Sequence, residues 1–319
     1  MIVPGTIVSG RYRIARKLGG GGMKVVYAAN DLRLAGRICA LAEMVDAFAD
    51  SDAQAAATQA FRREAEILAE LAHQHIPSIF DCFSEANHHY LVMEFVDGMT
   101  LQEELVSSAG MLPVERVVEI ALQILEALRY LHGRKPPIIH RDLKPSNVMT
   151  TKEGSLKLID FGIARHFAPL ARVTTIGTHG YAPPEQYAGR AEPRSDLYAL
   201  AAIMHQALSG RDPALEAPFR FPPLRRFCPD LNARLIAVIE RALAYDAINR
   251  PHDAKEFRQL LLEAEAHPSR PASSGFSPRL PSNIPTATAI DTAHESTDQW
   301  TGARYSRERR GRPRRPGVK

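Results

Sequence analysis

Cysteine is scarce and badly spaced for a framework: Cys39, Cys82 and Cys228 are the only three, and no two form a C-x-x-C pair. That excludes a disulfide scaffold and a thiolate zinc site. No stretch reaches the roughly 18 uncharged apolar residues of a membrane span. The most apolar stretch, Leu197 to Gly210, is interrupted by His205, Gln206 and Ser209 and reads as a buried helix. The opening residues MIVPGTIVSGRYR lack the apolar segment of a secretory signal, so a cytoplasmic protein is expected. Excess charge is also missing: 40 basic and 36 acidic side chains leave +4 over 319 residues. The distribution is uneven, since Arg304 to Lys319 holds eight basic residues and one acid and the rest of the chain sums to −3. The body is therefore not a nucleic-acid-binding surface, whereas the tail reads first as a plain solvated linker, with an Arg-rich site for anionic lipid or nucleic acid as an alternative.

What is present is the composition of a soluble globular chain, 45% hydrophobic and 24% charged. Residues 11 to 46 alternate and are rich in β-branched and aromatic side chains, which predicts strands. Ala53 to Leu71 predicts a helix, followed by short strands near Ile79 to Ser84 and His89 to Glu94. Pro113 to His132 carries an apolar stripe at helical spacing, and Pro137 to Asp160 reads as short extended pieces and loop. Helices follow at Leu197 to Leu208, Asn232 to Leu243 and Asp253 to Ala266. The expectation is an α+β protein with a strand-rich lobe over 10–96 and a helical lobe over 97–266. From 267 to 319 Pro, Ser, Thr and Arg dominate and periodicity vanishes, which predicts a disordered tail.

Two of the predicted strands are joined by Leu18-Gly19-Gly20-Gly21-Gly22-Met23-Lys24-Val25-Val26. Glycines let backbone N–H groups approach phosphate oxygens, although a glycine run alone also suits a plain turn. A more specific signal is His140-Arg141-Asp142-Leu143-Lys144-Pro145-Ser146-Asn147, with Asp160-Phe161-Gly162 beginning thirteen residues after Asn147. This is the H-R-D-L-x-x-x-N and D-F-G pairing of protein kinases. Further on, Gly180-Tyr181-Ala182-Pro183-Pro184-Glu185 stands where such proteins have Ala-Pro-Glu, with Pro183 in place of the alanine.

The chain thus resembles the eukaryotic-like (Hanks-type) bacterial serine/threonine protein kinases over roughly residues 10 to 265. The resemblance implies a bilobal kinase fold using ATP with magnesium, or manganese in its place. Asp142 then corresponds to the base, Lys144 to the lysine that contacts the γ-phosphate, and Asn147 and Asp160 to the metal ligands. Glu64 corresponds to the helix glutamate that pairs with a catalytic lysine, with Glu66 as the competing candidate. Leu18, Gly19, Gly21, Val26, Ala40 and Met149 would surround the nucleotide. Met93 would be the gatekeeper, and Glu94 to Val96 the hinge. Glu185 with Arg250, and Asp196, would hold the fold.

The family's strand lysine is absent. Cys39-Ala40-Leu41-Ala42 aligns with V-A-I-K and puts Ala42 at the lysine position. Lys24, in turn, stands where the glycine loop should have its third glycine. Side chains along a strand alternate faces, so Lys24 and Val26 should both face the nucleotide, and Ala42 should share a face with Ala40. We read Lys24 as the replacement, pairing with Glu64 and binding phosphate. At this one position the loop is similar to that of the with-no-lysine kinases. The rival reading is a nucleotide-binding pseudokinase acting as a scaffold.

Arg141 before the base implies an activation segment ordered by a phosphothreonine. Thr174 and Thr175 are the candidates, and autophosphorylation there would call for self-association. Thr178 would contact the peptide site. A further alternative for the tail is an autophosphorylation target at Ser273, Ser274, Ser277 and Thr286. The other partners implied are proteins carrying substrate serine or threonine.

Overall fold

A computed structural model describes residues 2–21, 24–45, 51–85, 88–161 and 180–266. The strand-rich part holds β1 (Ile7–Val8), β2 (Tyr12–Gly21), β3 (Lys24–Asp31), β4 (Arg37–Val45), α1 (Ser51–Ala69), β5 (Ile79–Glu85) and β6 (His88–Glu94). Its strands form one antiparallel sheet in the order β1-β2-β3-β4-β6-β5. Alternation gives the sheet two apolar faces. On one, Ala42, Met44 and Leu91 pack with Phe61, Ala65 and Leu68 of α1. On the other, Tyr12, Ile14, Tyr27, Cys39, Leu41 and Val92 form a second core.

The helical part comprises α2 (Leu101–Ser107), α3 (Val114–His132), α4 (Pro184–Tyr187), α5 (Pro193–Ser209), α6 (Ala233–Ala242) and α7 (Ala254–Ala266). Every residue from Ser195 to Ser209 in α5 is buried, as the stretch's near-continuous apolarity implied. Among the described residues no helix is long and apolar enough to cross a membrane.

Helix α2 and strand β7 (Gly98–Thr100) were not read from the sequence. Helix α2 opens on a capping box in which Thr100 and Glu103 satisfy each other's backbone N–H. The stretch read as short extended pieces and loop contains β8 (Val148–Thr151) and β9 (Leu156–Leu158), which join β7 in a small sheet. Residues 267–319, including Trp300, lie outside the described residues.

Candidate active site

Lys24 is the first residue of β3, opposite Gly21 on β2 and Met44 on β4. Val26 stands opposite Ala42, and directly opposed residues of an antiparallel pair share a face. Lys24, Val26 and Ala42 therefore lie on one side of the sheet. Ala42, 1% exposed, lines the same cavity as Lys24, Met93, Asp160 and Phe161. The ammonium does not make the expected pair with Glu64. It reaches the Asp160 carboxylate instead, Nζ to Oδ1 at 2.7 Å. Glu64 is half-buried on α1 and makes its contacts elsewhere. Register supplies part of the reason, because Lys24 lies over Met44, two residues along β4 from Ala42.

The hairpin needs a glycine that the sequence reading did not single out. Gly20 has φ +100°, and a Cβ there would stand 2.4 Å from the Lys24 carbonyl oxygen. By contrast, a Cβ on Gly19 would meet nothing within 4 Å. Leu18 falls at a register shift between Lys17 and Gly19 and is exposed.

Ala40 stands opposite both Ala28 and Met93, so Val26, Ala40 and Met93 share the inward face. Met149 lies on β8 opposite Thr100. The Glu94 N–H already donates to the Ser78 carbonyl at 2.8 Å, and its carboxylate pairs with Lys157 at 2.9 Å. The Glu94 N–H and carboxylate are thus both engaged within the protein. Val96 is buried.

The catalytic-loop candidates converge. Both amide protons of Asn147 go to Asp142, to its carbonyl at 2.8 Å and to Oδ2 at 2.9 Å. Lys144 Nζ stands 3.1 Å from the same Oδ2. The Ile159 N–H donates to the Asn147 carbonyl at 2.9 Å, which brings the segment carrying Asp160 alongside. With its N–H groups spent, Asn147 can offer Oδ1 outward. That oxygen and the Asp160 carboxylate are hard donors of the type that could hold a magnesium ion. Burial pushes the Asp160 carboxyl up, but the charge and hydrogen bond of Lys24 outweigh it and hold the pKa below the ordinary range.

Residues 12–220 match the family model of the protein kinase domain. The chain belongs to the protein kinase family. This kinase is 36% identical over 271 residues to a probable serine/threonine-protein kinase of Streptomyces coelicolor, an overlap covering 79% of this chain and 39% of that protein. With PrkC of Bacillus subtilis, a serine/threonine-protein kinase, the figures are 34% over 266 residues, 79% and 40%. The kinase thus spans about two-fifths of the length of these curated relatives. In structure it is similar to the PknI kinase domain of Mycobacterium tuberculosis, with a TM-score of 0.68 at 30% identity, covering 83% of this chain and all of that one.

Asp196 anchors the backbone at His140 and Arg141, and Glu185 with Arg250 fastens α4 to the helical part. Asp196 on α5, 1% exposed, accepts the His140 N–H at 2.9 Å, the Arg141 N–H at 3.0 Å and His132 Nε2 at 2.8 Å. Burial alone would raise the Asp196 pKa, but the His132 hydrogen bond and charge and the Arg141 N–H hold it below the ordinary range. Glu185 on α4 accepts Arg250 Nη1 at 2.6 Å and Nη2 at 3.0 Å, with Ser195 Oγ at 2.6 Å. Arg250 also donates to the carbonyls of Ala244, Tyr245 and Arg194, so all five of its N–H groups are used. His132 was not legible as part of the Asp196 anchor, because that contact spans 64 residues, and no spacing pattern marked Ser195, which lies ten residues from Glu185. Thr174, Thr175 and Thr178 lie outside the described residues.

Proposed function

We propose that this kinase transfers the γ-phosphoryl group of ATP to serine or threonine hydroxyls of protein substrates, with Lys24 in the role of the missing strand lysine. The observation that carries the reading is the 2.7 Å pair between Lys24 and Asp160, made from the face that Lys24 shares with Val26 and Ala42. It sets a cation beside the metal-ligand candidate, where phosphate charge has to be met. The names of the bacterial relatives support serine and threonine as acceptors.

In this mechanism Asp142 orients the substrate hydroxyl and takes its proton as the oxygen attacks the γ-phosphorus and the bond to the ADP oxygen breaks. Asn147 fixes the Asp142 carboxylate through Oδ2. Lys144, 3.1 Å from that carboxylate, can meet the charge of the transferring group. Asn147 and Asp160 would hold magnesium, or manganese, which supplies positive charge to the phosphates when bound. Lys24 is positioned to leave one Asp160 oxygen for a nucleotide phosphate oxygen. Thr174 and Thr175 are the proposed autophosphorylation sites, one copy acting on another.

The test is turnover of labelled ATP with magnesium and a generic protein acceptor, for the parent chain and Asp142→Asn. Transfer by the parent and its loss of about 10³-fold in the variant are expected from the weight of an acid–base group plus positioning. Magnesium-dependent ATP binding with no transfer by the parent would instead favour a scaffold.

A further inference from the structure

Arg141 immediately precedes the proposed base and has φ +66°, in the left-handed region that a bulky residue seldom adopts. A conformation of this kind persists only where its surroundings over-determine it. Side chains from two different helices hold the two polar groups of the Arg141 backbone. Its N–H donates to Asp196 Oδ1 of α5 at 3.0 Å. Its carbonyl accepts from Gln186 Nε2 of α4 at 2.7 Å. The orientation of the Gln186 amide is chemically determined, since a carbonyl oxygen can only accept and must be met by the nitrogen. That carbonyl belongs to the peptide unit that also contains the Asp142 nitrogen, so its direction sets where the Asp142 side chain starts.

We propose that Gln186 is a positioning residue for phosphoryl transfer: it clamps the Arg141–Asp142 peptide and ties the aim of Asp142 to helix α4. The adjoining Glu185 fastens α4 to the buried Arg250, so Gln186 is presented from a fixed support. Gln186 also borders the small cavity that Arg141, Asp142, Tyr181 and Asp196 line, and it does not line the cavity that holds Lys24, Ala42 and Asp160. The role of Asp142 as base rests on the function proposed above.

The experiment compares the parent chain with Gln186→Met, which has no donor, and Gln186→Glu, which keeps the shape and offers only acceptors when ionised. Carbonyl-13C arginine and 15N aspartate labelling lights only the two Arg–Asp peptides of the sequence, Arg141–Asp142 and Arg211–Asp212. The proposal expects the first correlation to move in both variants and the second to stay. It also expects kcat to fall about tenfold, since small misplacements of a reacting group are costly, with the KM for ATP and the melting temperature held. An unmoved Arg141–Asp142 correlation, or an unchanged kcat, overturns it. So does a loss that appears as a lower melting temperature or a raised KM. A parent chain without turnover contradicts the kinase reading, and the Arg141–Asp142 correlation then still decides the clamp.

Discussion

The ammonium of Lys24 and the carboxylate of Asp160 stand 2.7 Å apart, joining the first residue of β3 to the segment that follows β9. A lysine on this strand thus faces the metal-ligand candidate, across a site whose usual lysine position holds the small side chain of Ala42. On the function proposed above, the pair is what would let a chain that departs from its family's pattern at two positions keep one cation at the phosphates. It also ties the glycine hairpin to the catalytic side of the cleft.

Gly20 and Gly19 should behave differently when each is changed to alanine. At Gly20 both the positive φ and the 2.4 Å approach to the Lys24 carbonyl oppose a side chain, whereas Gly19 faces open space. Gly20→Ala should lower stability by about 1–3 kcal/mol and raise the KM for ATP by displacing Lys24. Gly19→Ala should do neither. Thermal melts and ATP titrations of the two variants check this.

Arg250→Met should be among the more damaging single changes. The Arg250 side chain is fully buried, and removing it leaves three carbonyls without that donor and Glu185 with only Ser195 and no counter-charge. Breaking a buried pair from one side costs about 3–5 kcal/mol. Urea unfolding of the variant reads this directly, and a loss below about 1 kcal/mol would speak against the anchor.

Acid should weaken the contribution of Asp196. Its folded pKa is depressed, so the stabilisation is complete above the unfolded value of about 3.9 and fades as pH falls through the folded one. The stability gap between the parent and Asp196→Asn carries this dependence at the acid end. It should narrow by up to about 1.4 kcal/mol per pH unit below about pH 4. Urea midpoints across that range test it, and a gap that widens on acidification would refute the assignment.

Much of this was legible in the sequence because it is local. Strand alternation put Lys24, Val26 and Ala42 on one face, and the register bears that out. The helical stripe of α3 was read to within a residue. Reach was not legible. Period two gives a face but does not say how far along it an ammonium extends, so the pairing with Glu64 had to yield to Asp160. Gln186 was invisible for a related reason, since its partner lies 45 residues away and no spacing marks such a contact. Helix α2 was a different kind of miss, because Thr100 and Glu103 carry the capping-box spacing in plain view.

The most direct test of the account moves the lysine back. Phosphoryl transfer from labelled ATP would be measured for the parent, for Lys24→Met, and for the double variant Lys24→Gly with Ala42→Lys. Loss of about 10²-fold or more in Lys24→Met, with recovery of at least about a tenth of the parent rate in the double variant, is the predicted result, in line with the weight of one preorganised charge at the reacting phosphate. Parent-like transfer by Lys24→Met would contradict the claim that Lys24 supplies the missing cation.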